Sequence, residues 1–183
     1  MQPRVILDTP QFALTIDRLC YQLIENHNNF TDTVLIGVQP RGIHLSNRIY
    51  QRLKELKPSL KLDYGKLDIT FYRDDFRRRE TPLAANETEL NFSIEGKKVV
   101  LVDDVLYTGR TIRAAMDALL DFGRPRQVEL LTLIDRRFTR HLPIEANYVG
   151  KKIDSIASEV VRVEWNDQDG ADKVWILTTN KDN

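Results

Sequence analysis

Two adjacent carboxylates, Asp103 and Asp104, followed closely by Thr108, Gly109, Arg110 and Thr111, are the residues in this chain whose types and spacing best suit chemistry. Val99 to Val102, immediately before them, form an unbroken aliphatic run, the pattern of a strand buried on both faces. After them Ile112, Ala115, Met116, Leu119 and Leu120 recur at helical spacing. The order is strand, short polar loop, helix. A helix amino terminus offers unpaired N–H groups and a positive dipole end, so a loop of Thr, Gly and Thr at that place suits a phosphate. Two carboxylates would repel that phosphate and need another task, and ribose hydroxyls are their natural partners. The stretch therefore reads as a site for a ribose 5-phosphate.

The elements that must position this site follow from the rest of the pattern. Thr9-Pro10 reads as an N-cap and first-turn proline, and Phe12, Ile16, Leu19, Cys20, Leu23 and Ile24 mark one helical face ending near His27-Asn28-Asn29. Cys20 reads as core and His27 as a solvated helix end. Thr33 to Val38 is a short strand, and Gln39-Pro40-Arg41-Gly42 is the turn before a helix that stops at Pro58. Alone, that turn reads as an ordinary β-to-α turn with a solvated Arg; beside the acid pair it reads as an anion site. Leu60 to Tyr72 reads as two short strands around Gly65, and the stretch from Arg73 through Thr88 has no periodicity. A connection of that length is usually a lid or binding loop, with Arg77 to Arg79 either a solvated charge run or a phosphate or RNA contact. Gly123 reads as a helix C-cap. Val128 to Ile134 is another buried strand with Asp135-Arg136-Arg137 at its carboxyl end, and a further strand is expected at Asn147 to Val149. Glu159 to Trp165 and Lys173 to Leu177 read as a terminal hairpin in which Trp165 and Trp175 are packing residues. The fold class is α/β, a mostly parallel central sheet flanked by helices with a small hood and a C-terminal β-hairpin, in one domain spanning 1–183.

Composition narrows the classes. The 183 residues are 42% hydrophobic and 30% charged, with 27 Lys plus Arg against 27 Asp plus Glu, so no net charge drives the chain toward nucleic acid or membrane. Any RNA site must be a local patch. A single cysteine excludes an intramolecular disulfide, no apolar run is long enough to span a membrane, and the amino terminus has no signal-peptide pattern, so a cytoplasmic location is expected.

The string Asp103-Asp104-Val105-Leu106-Tyr107-Thr108-Gly109-Arg110-Thr111, continued by Arg113-Ala114-Ala115-Met116-Asp117-Ala118-Leu119 and Gly123-Arg124-Pro125-Arg126, resembles the PyrR family. These are pyrimidine-operon attenuation regulators that are also uracil phosphoribosyltransferases, within the type I phosphoribosyltransferase fold. The resemblance implies that uracil and phosphoribosyl pyrophosphate (PRPP) give UMP and pyrophosphate. It implies PRPP binding by Arg41, Gly42 and the whole run from Asp103 through Val105, Leu106, Tyr107, Thr108, Gly109 and Arg110 to Thr111. Asp103, Asp104 and Arg73 are the implied catalytic residues, with Mg²⁺ held mainly by PRPP near the two acids. Arg136, Asp135 and Val160 would meet the base. The mobile catalytic loop falls on the stretch after Arg73, and Gln39-Pro40 stands where Lys-Thr is usual. The implied assembly is a homodimer or larger.

The same family binds the leader RNA of pyrimidine operons in response to UMP. Arg18, Arg137, Arg140, His141, Lys151 and Lys152 could form the basic surface this needs, or be dispersed surface charges, and Glu145 stands where the family commonly has Arg. An enzyme without RNA binding, or a transferase for another nucleobase, remains the alternative, although Val105-Leu106-Tyr107 and Arg110 argue against the purine relatives.

Overall fold

Strands that are apolar on both faces can only sit in the middle of a layered molecule, and these do. The computed structural model describes residues 3–75, 85–156 and 158–178. Strands β1 (Arg4–Leu7), β2 (Thr33–Val38), β3 (Asp63–Leu67), β4 (Lys98–Leu106), β5 (Gln127–Arg137), β6 (Tyr148–Asp154), β7 (Glu159–Glu164) and β8 (Lys173–Thr178) form two sheets. The larger is parallel, in the order β3-β2-β4-β5-β6. Parallel neighbours need crossovers, which put helices on both faces. Leu35, Val100 and Val102 face α1 (Thr9–His27) and α2 (Gly42–Leu56), whereas Val34, Ile36, Val99 and Leu101 face α3 (Arg110–Leu119). The α/β fold read from the sequence is the fold observed.

The second sheet is antiparallel, β1-β8-β7. The expected hairpin is present, joined by a short helix α4 (Asn166–Asp169), and β1 adds a third strand that was not expected. Trp165 is buried edge-on against Phe12, with ring centroids 5.3 Å apart, so it does pack the hairpin onto α1.

Several local expectations are corrected. Helix α1 is capped by Asp8, not Thr9: Asp8 accepts the Gln11 N–H at 2.9 Å and the Gln11 side chain accepts the Asp8 N–H at 3.4 Å, a closed capping box. Around Gly65 there is one strand, followed by a 3₁₀ turn at Thr70–Tyr72. The second strand fails because Asp68 takes both the Thr70 hydroxyl, at 2.8 Å, and the Thr70 N–H, at 3.4 Å, which bends the chain and leaves Phe71 exposed. The buried face of α3 is Ile112, Ala114, Ala115, Ala118 and Leu119, with Met116 and Leu120 outside. Because α3 ends at Leu119, Gly123 is not its cap; at φ 139° it instead lets the chain pass under Ile94 and Glu95. Strand β6 runs on to Asp154, well past Val149.

His27 is the largest departure. It is buried, its Nε2 3.1 Å from Glu129 and 3.0 Å from the Tyr148 hydroxyl, its Nδ1 3.2 Å from the Thr33 hydroxyl, while Tyr148 donates to Glu129 at 2.7 Å. The end of α1 lies over the starts of β2, β5 and β6, where these polar groups satisfy one another. Cys20, expected in the core, is there, with burial pushing its thiol up to about 12.

Burial, opposed by Glu129, lowers the His27 pKa. The unfolded chain therefore takes up that proton first, and stability present above the ordinary histidine value is lost as pH falls through the folded one. Urea melts should give a lower midpoint at about pH 5.5 than at about pH 7.5, and the gap should narrow in His27→Gln; an equal gap would remove His27 from the acid sensitivity.

Candidate active site

The parallel register pairs Gly37 with Val102, Asp103 with Thr132 and Leu106 with Asp135. Loop 39–42, the acid pair and the end of β5 therefore share one edge of the sheet, the carboxyl edge where open α/β sheets bind ligands. Two cavities meet there. One, of about 520 Å³, is lined by Arg73, Asp74, Asp75, Asp103 and residues 105–112. The other, of about 330 Å³, is lined by Gln39, Pro40, Arg41, Ile69, Thr70, Asn86 and Asp104 and shares Arg73, Asp103, Val105 and Thr111 with the first.

Strand alternation places the acids between them. Val102 points to the α1–α2 face, so Asp103 is directed to the α3 face and Asp104 back toward α2. Both are buried. Burial and the neighbouring Asp104 raise the Asp103 pKa well above the usual carboxylate range, opposed by the Asp104 N–H, Arg41 and Arg73. The Asp104 N–H donates to Asp103 at 3.1 Å. Arg41 donates from Nε to Asp104 at 2.9 Å and from Nη2 to the Val163 carbonyl at 2.9 Å, joining loop, acid and β7. Gly42 is required beside it: an added Cβ would lie 2.4 Å from the Val102 carbonyl and 3.1 Å from the Asp103 Cα.

At the other end Gly109, at φ 89°, precedes α3 in the left-handed conformation. The Thr108 carbonyl accepts the N–H groups of His141 at 3.0 Å and Leu142 at 3.2 Å, which ties the loop to the segment after β5. Arg110, Thr111 and Ile112, the first turn of α3, line the larger cavity, and the Arg110 N–H donates to the Thr108 hydroxyl at 3.4 Å; a helix amino terminus placed so suits an anion. Leu106 also borders the cavity, although its side chain is buried in the core.

The remaining expected site residues divide. Asp135 is buried and paired with Arg140 at 2.5 Å. Arg136 lies inside β5, with its guanidinium 3.9 Å from the Tyr107 ring; it donates to Ser155 at 2.8 Å and to the Ile156 and Glu159 carbonyls at 3.2 and 2.8 Å. It thus braces the start of β7, where Val160 is exposed. Desolvation lowers its pKa. Of the basic residues, Arg18 bonds the Val149 and Gly150 carbonyls, Arg140 the Tyr107 carbonyl and Lys151 the Ile6 carbonyl, while His141 and Lys152 are exposed. Arg77 to Arg79 lie outside the described residues. Asp74, Asp75 and Asn86 line the cavities and fall within the aperiodic stretch read as a lid or binding loop, whereas sequence reasoning missed Ile69 and Thr70.

Among the described residues no group of three or more His, Cys, Asp or Glu could hold a metal. The donor set here is two neighbouring carboxylates. That fits Mg²⁺, which takes one or two carboxylates and completes its shell with substrate oxygens and water. No helix among the described residues is long and apolar enough to cross a membrane.

Gly42→Ala should lower stability by about 1–3 kcal/mol in urea melts, because β4 must shift to admit the methyl group. A variant matching the wild type would show that the contact is not tight.

Residues 4–168 match the model of the phosphoribosyl transferase domain family. The chain is 45% identical to the bifunctional protein PyrR of Enterococcus faecalis over 99% of this chain and 100% of the relative. It is 44% identical to that of Haemophilus ducreyi, covering 95% and 96% of the two chains. Among solved structures, a hypoxanthine phosphoribosyltransferase of Trypanosoma cruzi shares the fold with TM-score 0.72 at 16% identity, covering 97% of each chain. One from Staphylococcus aureus gives 0.69 at 23%, covering 97% and 93%. With the acid pair, the turn before α3 and the full length of the relatives all in agreement, the chain belongs to the PyrR family of phosphoribosyl transferase domain proteins.

Proposed function

We propose that this chain is a uracil phosphoribosyltransferase, converting uracil and PRPP to UMP and pyrophosphate, and a UMP-responsive regulator of pyrimidine genes acting through leader RNA. The observation that carries the first half is the placing of two buried carboxylates between two joined cavities, one ending at the amino terminus of α3 and the other at Arg41 and Arg73. That arrangement suits a sugar phosphorylated at both ends.

In this reading the N–H and hydroxyl groups of Thr108 to Thr111 hold the 5-phosphate. Asp103 and Asp104 hold the ribose hydroxyls, and Asp104 steadies positive charge growing at the anomeric carbon as the bond to pyrophosphate lengthens. Arg41 and Arg73 meet the departing pyrophosphate. Asp103 and Asp104 are the residues that would stand beside Mg²⁺ brought in with PRPP, which would supply further neutralisation of that charge. Uracil lies between Val160 and the Asp135–Arg136 end of β5; its ring nitrogen bonds to the anomeric carbon as the bond to pyrophosphate breaks, and the N–H proton leaves to solvent or to the departing pyrophosphate. No covalent sugar–enzyme bond is needed, so catalysis is orientation, charge stabilisation and exclusion of water. The protein works in the cytoplasm as a homodimer or larger assembly.

The regulatory half is supported by the relatives' being named bifunctional. Exposed His141 and Lys152 are the groups offered to RNA phosphates.

Asp104→Asn should lower uracil turnover by about 10² or more, the scale of losing one transition-state electrostatic contact; near wild-type turnover would remove Asp104 from the mechanism. Incubation with PRPP, Mg²⁺ and each nucleobase in turn should give product with uracil, and preference for a purine would overturn the substrate. A gel shift with pyrimidine-operon leader RNA should appear at low salt and strengthen with UMP; no shift would leave the enzyme alone.

A further inference from the structure

The larger cavity contains two cations, and neither faces it free. Arg73 is held in a two-pronged pair by Asp75, Nε and Nη2 lying 2.8 and 2.9 Å from the two carboxylate oxygens. Arg110, the first residue of α3, is paired with Asp74. All four side chains belong to residues lining the same cavity. The segment bearing the acids is itself fastened to α3 and the turn after it, since Arg113 donates to the Tyr72 carbonyl at 3.0 Å and the Tyr72 hydroxyl bonds Asp121. A carboxylate offers an arginine fork the same pair of acceptor oxygens as a phosphoryl group. The loop acids thus stand where a phosphorylated ligand would draw its charge partners.

The acids are also able to give way. The side chains of Asp74 and Asp75 are 41% and 33% exposed, so each can return to water when its arginine changes partner. Pairs this exposed are weak, and a dianionic phosphate competes well against a single carboxylate. We propose that Asp74 and Asp75 are built-in competitors for phosphate, occupying Arg110 and Arg73 in the free protein and reclaiming them on release, so that they set how tightly each end of the sugar diphosphate is held. The inference rests on the functional reading in assigning the Arg110 end to the 5-phosphate and the Arg73 end to pyrophosphate.

The test is calorimetric titration of ribose 5-phosphate and of pyrophosphate into the wild type, Asp74→Asn and Asp75→Asn. Asp74→Asn should tighten ribose 5-phosphate about three- to fivefold and pyrophosphate little, and Asp75→Asn should do the reverse, the size being that of an exposed pair. In an Arg110→Ala background Asp74→Asn should lose its effect, because its partner is gone. Wild-type binding of both ligands with no tightening in the variants, or equal tightening of both ligands by each variant, would overturn the inference and leave the functional reading standing. No binding of either ligand by wild-type protein would overturn the functional reading and this inference with it.

Discussion

Two carboxyl groups at successive positions, both buried at the end of one strand, are the constraint on which the rest of the structure depends. Desolvation and their mutual repulsion oppose ionising both, and that opposition is visible in the raised pKa of Asp103. Strand geometry separates the two groups by sending them to opposite faces of β4. Each face then answers differently. On the α2 side a fixed guanidinium pairs with Asp104, and on the α3 side Asp103 looks into a cavity whose far wall is a helix amino terminus. The negative charge that remains uncompensated is what a divalent cation beside the pair would balance.

The sheet supplies the precision this requires. Because β2, β4 and β5 are parallel and in fixed register, the turn after β2, the acids of β4 and the end of β5 arrive at the same level. Gly42 then brings α2 closer to β4 than a methyl group would allow. The antiparallel sheet is joined to this level through side chains. Arg41 reaches the Val163 carbonyl and Arg136 reaches the Glu159 carbonyl, so β7 is held at both ends by arginines that start from the parallel sheet. Arg48 adds a paired contact to Asp172 beyond α4, at 2.8 and 3.2 Å.

What was legible in the sequence was what local physics imposes. A strand buried on both faces and an amphipathic helix each leave a periodic trace, so β4, the turn after it and α3 are readable from the sequence. Roles for single residues came from the family resemblance and not from spacing. What escaped depends on partners remote in the chain. His27 looks like a helix end until Glu129 and Tyr148, 102 and 121 residues away, close over it. The second strand after Gly65 was lost to Asp68, whose competing bonds to Thr70 no alternation pattern reveals. Arg136 was expected to project from a strand end, yet β5 continues through it, because β6 extends alongside and carries the pairing on to Arg137 and Asp154.

The short amino-terminal strand β1 pairs only with β8, joining Arg4 to Ile176 and Leu7 to Val174. Few contacts in the molecule span more of the chain, and closing so long a loop carries the largest entropic penalty of any step in assembly. During synthesis the parallel sheet has all its strands before β8 exists, so β1 must wait, unpaired, for the last strand to leave the ribosome. The Val163 carbonyl that steadies Arg41 belongs to the sheet that β8 completes, so the pairing of β1 with β8 stands behind one support of the carboxyl edge.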